Sequence, residues 1–546
     1  MRPVVLTPWL VGAVCRLVPV LCAVVPARAA DVPPRPAGPT EQVDVSLHLL
    51  DVVVLDTAGK ALHGLGPKNF AVTVDGEARE VRTVDHMVPA YAVPSTAIKP
   101  SAGEAAPEPA PRWALPVYDA DRIDPAFRAE ALTTARLVVE KALRTADRVA
   151  VAVIHDGEAR FVHPFARTDQ FDEAVLSGTA LLAASPDGMA QKLREMAELV
   201  SGCGGGGQQS SCAVTATAEF LQFVRRGNKA SLSALVTLAT ALRPLPGRKA
   251  LFRFGDGILL APGYVVLAAV DRFLGGGSLM ASRFVDPPDW DYESFLTAAS
   301  RARVTVFPMR TGQPLENLLR EAGSNRGMQN MEDTRGASSD PFHTAATDME
   351  SNLQRVAEST GGRVVPLSAG PVSDPALLDR LESLYTLGIA PVAGDGIRSR
   401  VKIKLVGVKG KIVAPDHLLR RTDRGADLTG SIDVSSRTPG APPGVSLALD
   451  LARLAADRGV EGAAPQSRIA VYWRALDAAG RVLADDYTIL QIPRPPGTPA
   501  RFTQPLPDAA SGGAVLQVFV SDLGGRGGLS LTHTFASPPG EAPQAP

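Results

Sequence analysis

From Trp113 to about residue 367, short apolar runs alternate with segments of helical spacing. This rhythm constrains the chain more than any other feature. "WALPVY" precedes "PAFRAEALTTARLVVEKALRTA", where Phe127, Ala131, Ala135, Val138, Val139 and Leu143 recur at helical intervals. "DRVAVAVI" precedes "TDQFDEAVLSGTALLAA", a helical stretch spans about 214 to 243, and "GRKALFRF" ends at Gly255-Asp256-Gly257. "YESFLTAASRAR" leads into "VTVFPM", and "DMESNLQRVAESTGG", closed by Gly361-Gly362, into "RVVPL". Strands that alternate with helices imply crossover connections and a mostly parallel sheet. The expectation is an α/β domain over residues 113–390.

The flanks read differently. Residues 43–87 carry β-branched runs punctuated by turn signals, with Asp75-Gly76 as a hairpin turn, and form an N-terminal β segment. Residues 88–112 are Pro/Ala-rich and read as a linker. Residues 391–425 are a second β segment, expected to pack on 43–87 so that the α/β part is inserted between them. Residues 430–536 read as a C-terminal β-sandwich, and 537–546 as a disordered tail. The stretches 258–290 and 325–347 read as long insertions at the ends of strands. Loops of that length are functional or disordered.

Composition limits the function classes. The 546 residues carry 56 basic and 57 acidic side chains, a net charge of −1, so no basic field is available for nucleic acid. Arg2, the apolar run over residues 4–25 and the small residues of Ala27-Arg28-Ala29 form a signal-peptide pattern over residues 1–30. A secreted or periplasmic location is expected, with no integral span after cleavage, since no later apolar run reaches about 18 residues. Two of the four cysteines lie in the leader. Cys203 and Cys212, bracketing "GGGGQQSS", are expected to pair in an oxidising compartment.

Few residues point to chemistry. Asp119 and Asp121, in "VYDADRIDP", sit one apart on a single loop, which does not make the sugar-sized gap of a glycosidase pair. No Gly-x-Ser-x-Gly elbow is present, and Gly204 to Gly207 lacks the Lys-Ser/Thr of a phosphate loop. The eight histidines are scattered without His-x-x-x-His spacing; His155 and His163 read as ordinary polar residues. Trp473 with Tyr472 is the sole aromatic cluster that would suit a carbohydrate. An enzyme is not expected.

Four segments in order carry a family resemblance. "LLDVVVLDTAGKALHGLGPKNFAVTVDGEAREV", "LPGRKALFRFGDGI" and "LQRVAESTGGRVVPL" followed by "LESLYTLGIAP" resemble the VWFA-related proteins of acidobacterial type, over roughly residues 43–422. The resemblance implies a Rossmann-like von Willebrand factor A core with a mostly parallel sheet. It also implies a metal-ion-dependent adhesion site at the carboxyl ends of the strands, where open α/β sheets bind ligands. In such a site an Asp-x-Ser-x-Ser loop, a Thr and a further Asp hold Mg²⁺. Asp119 matches the first Asp and Asp256 the last; Asp121 replaces the first Ser, and Ile123, which cannot coordinate, the second. Thr215 and Thr217 are the nearest candidates for the Thr. Asp119, Asp121 and Asp256 would then converge, and such a cluster either binds a cation or raises a carboxylate pKa. The expectation is a degenerate site for Mg²⁺ or Ca²⁺, in an exported, adhesion-like protein whose loop face recognises a partner protein. The alternative is a scaffold protein with a non-functional metal site, and a hydrolase is a distant third reading. The sequence names neither the partner nor the oligomeric state.

Overall fold

The computed structural model describes residues 48–535 except 61, 88–110, 124–127, 130, 134–135, 138–139, 141–145, 168–188, 204–208, 248, 275–289, 311–340, 367–383, 391–397, 416, 420–427, 436–443, 451–465, 494–500 and 524–527. The expected signal peptide, nearly all of the expected Pro/Ala linker, the segment "TDQFDEAVLSGTALLAA", most of the stretch expected as an insertion at 325–347 and the expected tail lie outside the described residues.

The chain begins with β1 (His48–Leu55), β2 (Phe70–Val74), β3 (Glu77–Arg79) and β4 (Val81–Met87). The middle holds β5 (Trp113–Asp119), β6 (Arg148–His155), β7 (Glu158–Arg167), β8 (Lys249–Phe254), β9 (Val304–Arg310) and β10 (Val365–Pro366). Between these run the helices α1 (Met189–Ser201), α2 (Gln209–Ala241), α3 (Pro262–Leu274), α4 (Trp290–Arg301) and α5 (Pro341–Thr360). Then come β11 (Leu384–Ile389), β12 (Arg398–Leu405), β13 (Lys411–Val413) and β14 (His417–Leu419). The last group is β15 (Thr429–Ser435), β16 (Gly444–Asp450), β17 (Gln466–Leu476), β18 (Val482–Pro493), β19 (Arg501–Pro505), β20 (Val515–Asp522) and β21 (Gly528–Thr534).

These strands correct the fold class expected from the sequence. Among the described residues 45% lie in strands against 33% in helices, in five sheets of which four are antiparallel throughout. The chain is mostly β, and the Rossmann-like von Willebrand factor A core expected as its class is set aside. Parallel pairing is confined to one sheet, of order β10-β9-β8-β5-β6-β7, and its edge strand β7 runs antiparallel to β6. The overcount has a physical source. Fully enclosed strands such as β5 and β8, buried at every position, stand out as continuous apolar runs, whereas half-exposed antiparallel strands carry only a period-2 signal. The stretch expected as an insertion over 258–290 also differs, because residues 262–274 form α3. Its Val265, Val266, Ala269 and Val270 are buried against α1 and α2.

The six-stranded sheet is covered on both faces. Trp113, Leu115 and Val117 of β5 enter one core with Leu235, Leu238 and Leu242 from α2 and its C-terminal turn and with Phe295 of α4. Ala114 and Tyr118 enter the other, with Val151, Phe252 and Phe307. The alternation follows from the pleat, which sends successive side chains to opposite faces.

The first and third groups of strands intermix. β1 pairs with β11 and β13, β4 with β11, and β2 with β12, so residues 48–87 and 384–419 build two four-stranded sheets together. Val52, Val54, Val72, Val74, Tyr385, Leu387 and Val401 fill the space between them. Arg303, just after α4, ties this sandwich to the middle of the chain by donating to both oxygens of Asp51 and to the Thr386 hydroxyl.

The C-terminal strands form the sheets β15-β16-β19 and β18-β17-β20-β21, with Leu447, Val471, Trp473, Leu516 and Val518 between them. The second sheet also packs on the middle of the chain. Tyr472, Tyr487 and Leu523 share a core with Trp113 and Phe165, and the Tyr487 hydroxyl donates to the Ala241 carbonyl at 2.9 Å. Arg148 and Asp485 add an ion pair. No helix among the described residues is long and apolar enough to cross a membrane.

Candidate functional site at the carboxyl ends of β5 and β8

β5 ends at Asp119 and a single 3-10 turn, Ala120–Arg122, follows it; β8 ends one residue before Gly255. The two strands are hydrogen-bonded neighbours in parallel register, so their carboxyl ends lie side by side. Gly255 makes the close approach feasible. Its φ is 155°, and a Cβ there would lie 3.3 Å from the Asp119 Cβ and 3.4 Å from the Arg122 Cβ. The Asp256 amide donates to the Arg122 carbonyl at 2.8 Å, which stitches the two turns together.

Asp119 is completely enclosed, at 0% exposure. Its Oδ2 accepts from Arg253 Nη2 at 2.6 Å, from Arg253 Nε at 3.1 Å and from the Ser231 hydroxyl at 2.8 Å. Arg253 is itself buried, and its Nη1 donates to the Asp256 carbonyl at 3.1 Å. Oδ1 of Asp119 is buried and accepts no hydrogen bond among the described residues. A side-chain guanidinium thus sits against the carboxylate that the family resemblance matches to the first metal ligand.

A second buried cation completes the cluster. Arg122 donates from Nη2 to Asn228 Oδ1 at 2.8 Å, and Asn228 Nδ2 donates to the Leu259 carbonyl at 2.7 Å. Burial lowers the Arg122 guanidinium below the usual arginine range, opposed by the attraction of Asp119 and, more weakly, of Asp121 and Asp256. All three acids expected from the sequence therefore act on one guanidinium. Two arginines stand among three carboxylates, and the cluster carries its own counter-charge.

Asp121 faces outward from this cluster. Its oxygens accept from the Asp156 and Gly157 amides at 3.1 and 3.0 Å, and His155 Nδ1 lies 3.3 Å from Oδ1. Asp156 and Gly157, with φ of 50° and 71°, form the tight turn between β6 and β7. Asp121, His155 and Asp156 are the described group whose ligand atoms come within 4.8 Å of one another, which is close enough to hold an ion. Ile123 is buried in the second core.

The threonines go elsewhere. Thr215 is exposed and donates to the Ser211 carbonyl, while Thr217 is buried and donates to the Ala213 carbonyl, each one turn back along α2. Ser231, which does reach Asp119, stands fourteen residues beyond Thr217 on the same helix, about 21 Å along its axis. The sequence reading therefore missed Ser231, Asn228, Arg122 and Arg253. The signal that could have found Arg253 was a cation in the middle of an otherwise apolar strand, since a buried charge requires a partner. Cys203 and Cys212 are joined in a disulfide, which links the end of α1 to the start of α2.

No protein-family model matches this chain, and no curated protein does. Among solved structures, the human COPII-coat protein Sec24c aligns at 11% identity over 57% of this chain and 44% of its own length, with a TM-score of 0.18. The pilus adhesin SpaC from Lactobacillus rhamnosus GG aligns at 7% identity over 77% of this chain and 54% of its own, also at 0.18. The chain spans about half the length of these two structures, and likenesses at that score carry no argument about fold or function.

Proposed function

We propose that this chain is an exported, non-enzymatic protein-binding protein. It recognises its partner at the loop face formed by the ends of β5 and β8, and needs no divalent cation there. The reading rests on one observation: Arg253 places two guanidinium nitrogens on Asp119, the carboxylate around which a bridging ion would be built. An ion at Asp119 would have to expel that guanidinium and bring two buried positive charges close to a further one, which ordinary Coulomb repulsion opposes. Asp121, partly exposed at the outer edge of this face, presents its charge towards a partner's basic groups. The resemblance of "LPGRKALFRFGDGI" to VWFA-related proteins supports a binding role over a catalytic one.

The enclosed ion pair also favours a second reading, in which the same cluster only braces the loops of a scaffold protein. Chemical cross-linking in envelope fractions separates the two readings, comparing the native chain with Asp121→Lys in the presence and absence of EDTA. A partner adduct that survives EDTA and is lost in Asp121→Lys supports recognition at this face. An adduct unchanged by the substitution supports the scaffold, and one abolished by EDTA in the native chain overturns cation independence.

A further inference from the structure

His63 and His86, twenty-three residues apart, face each other on the N-terminal sandwich. His86 stands on β4 with its ring stacked on Tyr385 of the neighbouring strand β11, the centroids 4.1 Å apart and the planes within 7°. The same tyrosine anchors the loop that carries His63. Its hydroxyl donates to the Leu62 carbonyl at 2.8 Å and accepts from the Leu65 amide at 3.3 Å. One side chain thus positions both imidazoles.

The separation of the two rings is informative. His63 Nδ1 lies 3.3 Å from His86 Nε2, with ring centroids 5.2 Å apart. A direct N–H bond between neutral groups centres on about 2.9–3.0 Å, so the pair is long for one. Two imidazoles on a tetrahedral zinc, at about 2.0–2.1 Å per bond, hold their nitrogens roughly 3.3–3.4 Å apart and their ring centres about 5.2 Å apart. Both separations match those observed.

We propose that His63 and His86 form a two-nitrogen chelate for a divalent transition-metal ion of the zinc class, with water or a group from outside the chain completing the coordination. Imidazole nitrogens suit zinc, copper and nickel and do not suit Mg²⁺ or Ca²⁺, so this site is distinct in chemistry from the acidic loop face. His63 is exposed, so an ion can reach the pair from solvent.

Calorimetric titration of ZnCl₂ into the full chain at pH 7.5 tests the chelate, with the variants His63→Gln, His86→Phe and His155→Ala alongside. The last removes the central member of the Asp121–His155–Asp156 group. One equivalent of zinc is expected, with affinity falling by roughly tenfold or more in His63→Gln and His86→Phe and unchanged in His155→Ala. Copper spectra of the native chain are expected to show two coordinated nitrogens, falling to one in His63→Gln. The proposal is overturned if zinc gives no heat up to about 1 mM. It is equally overturned if affinity is undiminished in the exposed-site variant His63→Gln, or is lost only with His155→Ala.

Discussion

Arg253→Met isolates the contribution of the buried ion pair. Methionine keeps an unbranched stem of similar reach in β8 while removing every donor. Among the described residues, Asp119 Oδ2 then retains the Ser231 hydroxyl in place of three hydrogen bonds. Hydrogen bonds to charged groups contribute about 1.5–3 kcal/mol each, and removing one partner of an enclosed pair costs about 3–5 kcal/mol because the surviving charge stays uncompensated. Arg122 remains close and offsets part of that cost, so we expect a loss of about 3 kcal/mol in urea unfolding followed by tryptophan fluorescence. Asp119→Asn combined with Arg253→Met removes the stranded charge, and this double variant should recover about 1–2 kcal/mol over Arg253→Met alone. The single variant should also gain measurable heat with Mg²⁺ or Mn²⁺, because Asp119 would then have lost the guanidinium that occupies its Oδ2. A loss under about 1 kcal/mol, or a double variant no more stable than the single, would refute the view that this ion pair holds the loop face together.

Three other perturbations follow from the packing. Burial lowers Lys249 from 10.5 to about 7, with Arg303 adding to the effect and Asp51 opposing it. The unfolded chain therefore holds a proton there that the folded chain releases, so stability should rise from about pH 7 towards 10.5, by at most about 1.4 kcal/mol per unit; Lys249→Met should flatten the slope of Tm against pH over 7–9.5. At Gly362 an added Cβ would lie 1.9 Å from the Val306 carbonyl oxygen, so Gly362→Ala must push the end of α5 away from β9; we expect a loss of more than about 2 kcal/mol in thermal unfolding, and a neutral result would contradict the placement. Tyr487→Ala empties a buried site between the C-terminal sheet and α2 and strands the Ala241 carbonyl. A cost of about 3–5 kcal/mol is expected, and a value near zero would mean that the two parts do not share a core.

Some features could be read directly from the residues. β5 and β8 are uninterrupted apolar runs apart from their charged positions, so their strand character is written locally. Cys203 and Cys212, expected from the sequence to pair, are joined in a disulfide, and the alternating runs beyond residue 430 fall in sandwich strands. The balance of the whole fold was not legible in this way. Helical and enclosed-strand periodicities dominate a reading by eye, and the half-exposed strands that outnumber them signal weakly. At the site, Asp119 and Asp256 drew notice because the family resemblance matches them to metal ligands. The arginines that neutralise them did not, because a cation inside a strand signals nothing about where its partner lies.

The sequence by itself determined the local elements: which runs extend, which coil, where Asp-Gly pairs turn the chain, and which acids stand at strand ends. These depend on period and backbone preference over a few residues. Only the tertiary structure decided that β1 pairs with a strand more than three hundred residues away, and that Ser231 rather than Thr215 or Thr217 meets Asp119. It alone brought Arg253 onto that carboxylate and set His63 against His86 across a tyrosine. The reason is physical. The charge state and metal preference of a cluster depend on side chains within a few ångströms, and chain distance has little bearing on which side chains those are.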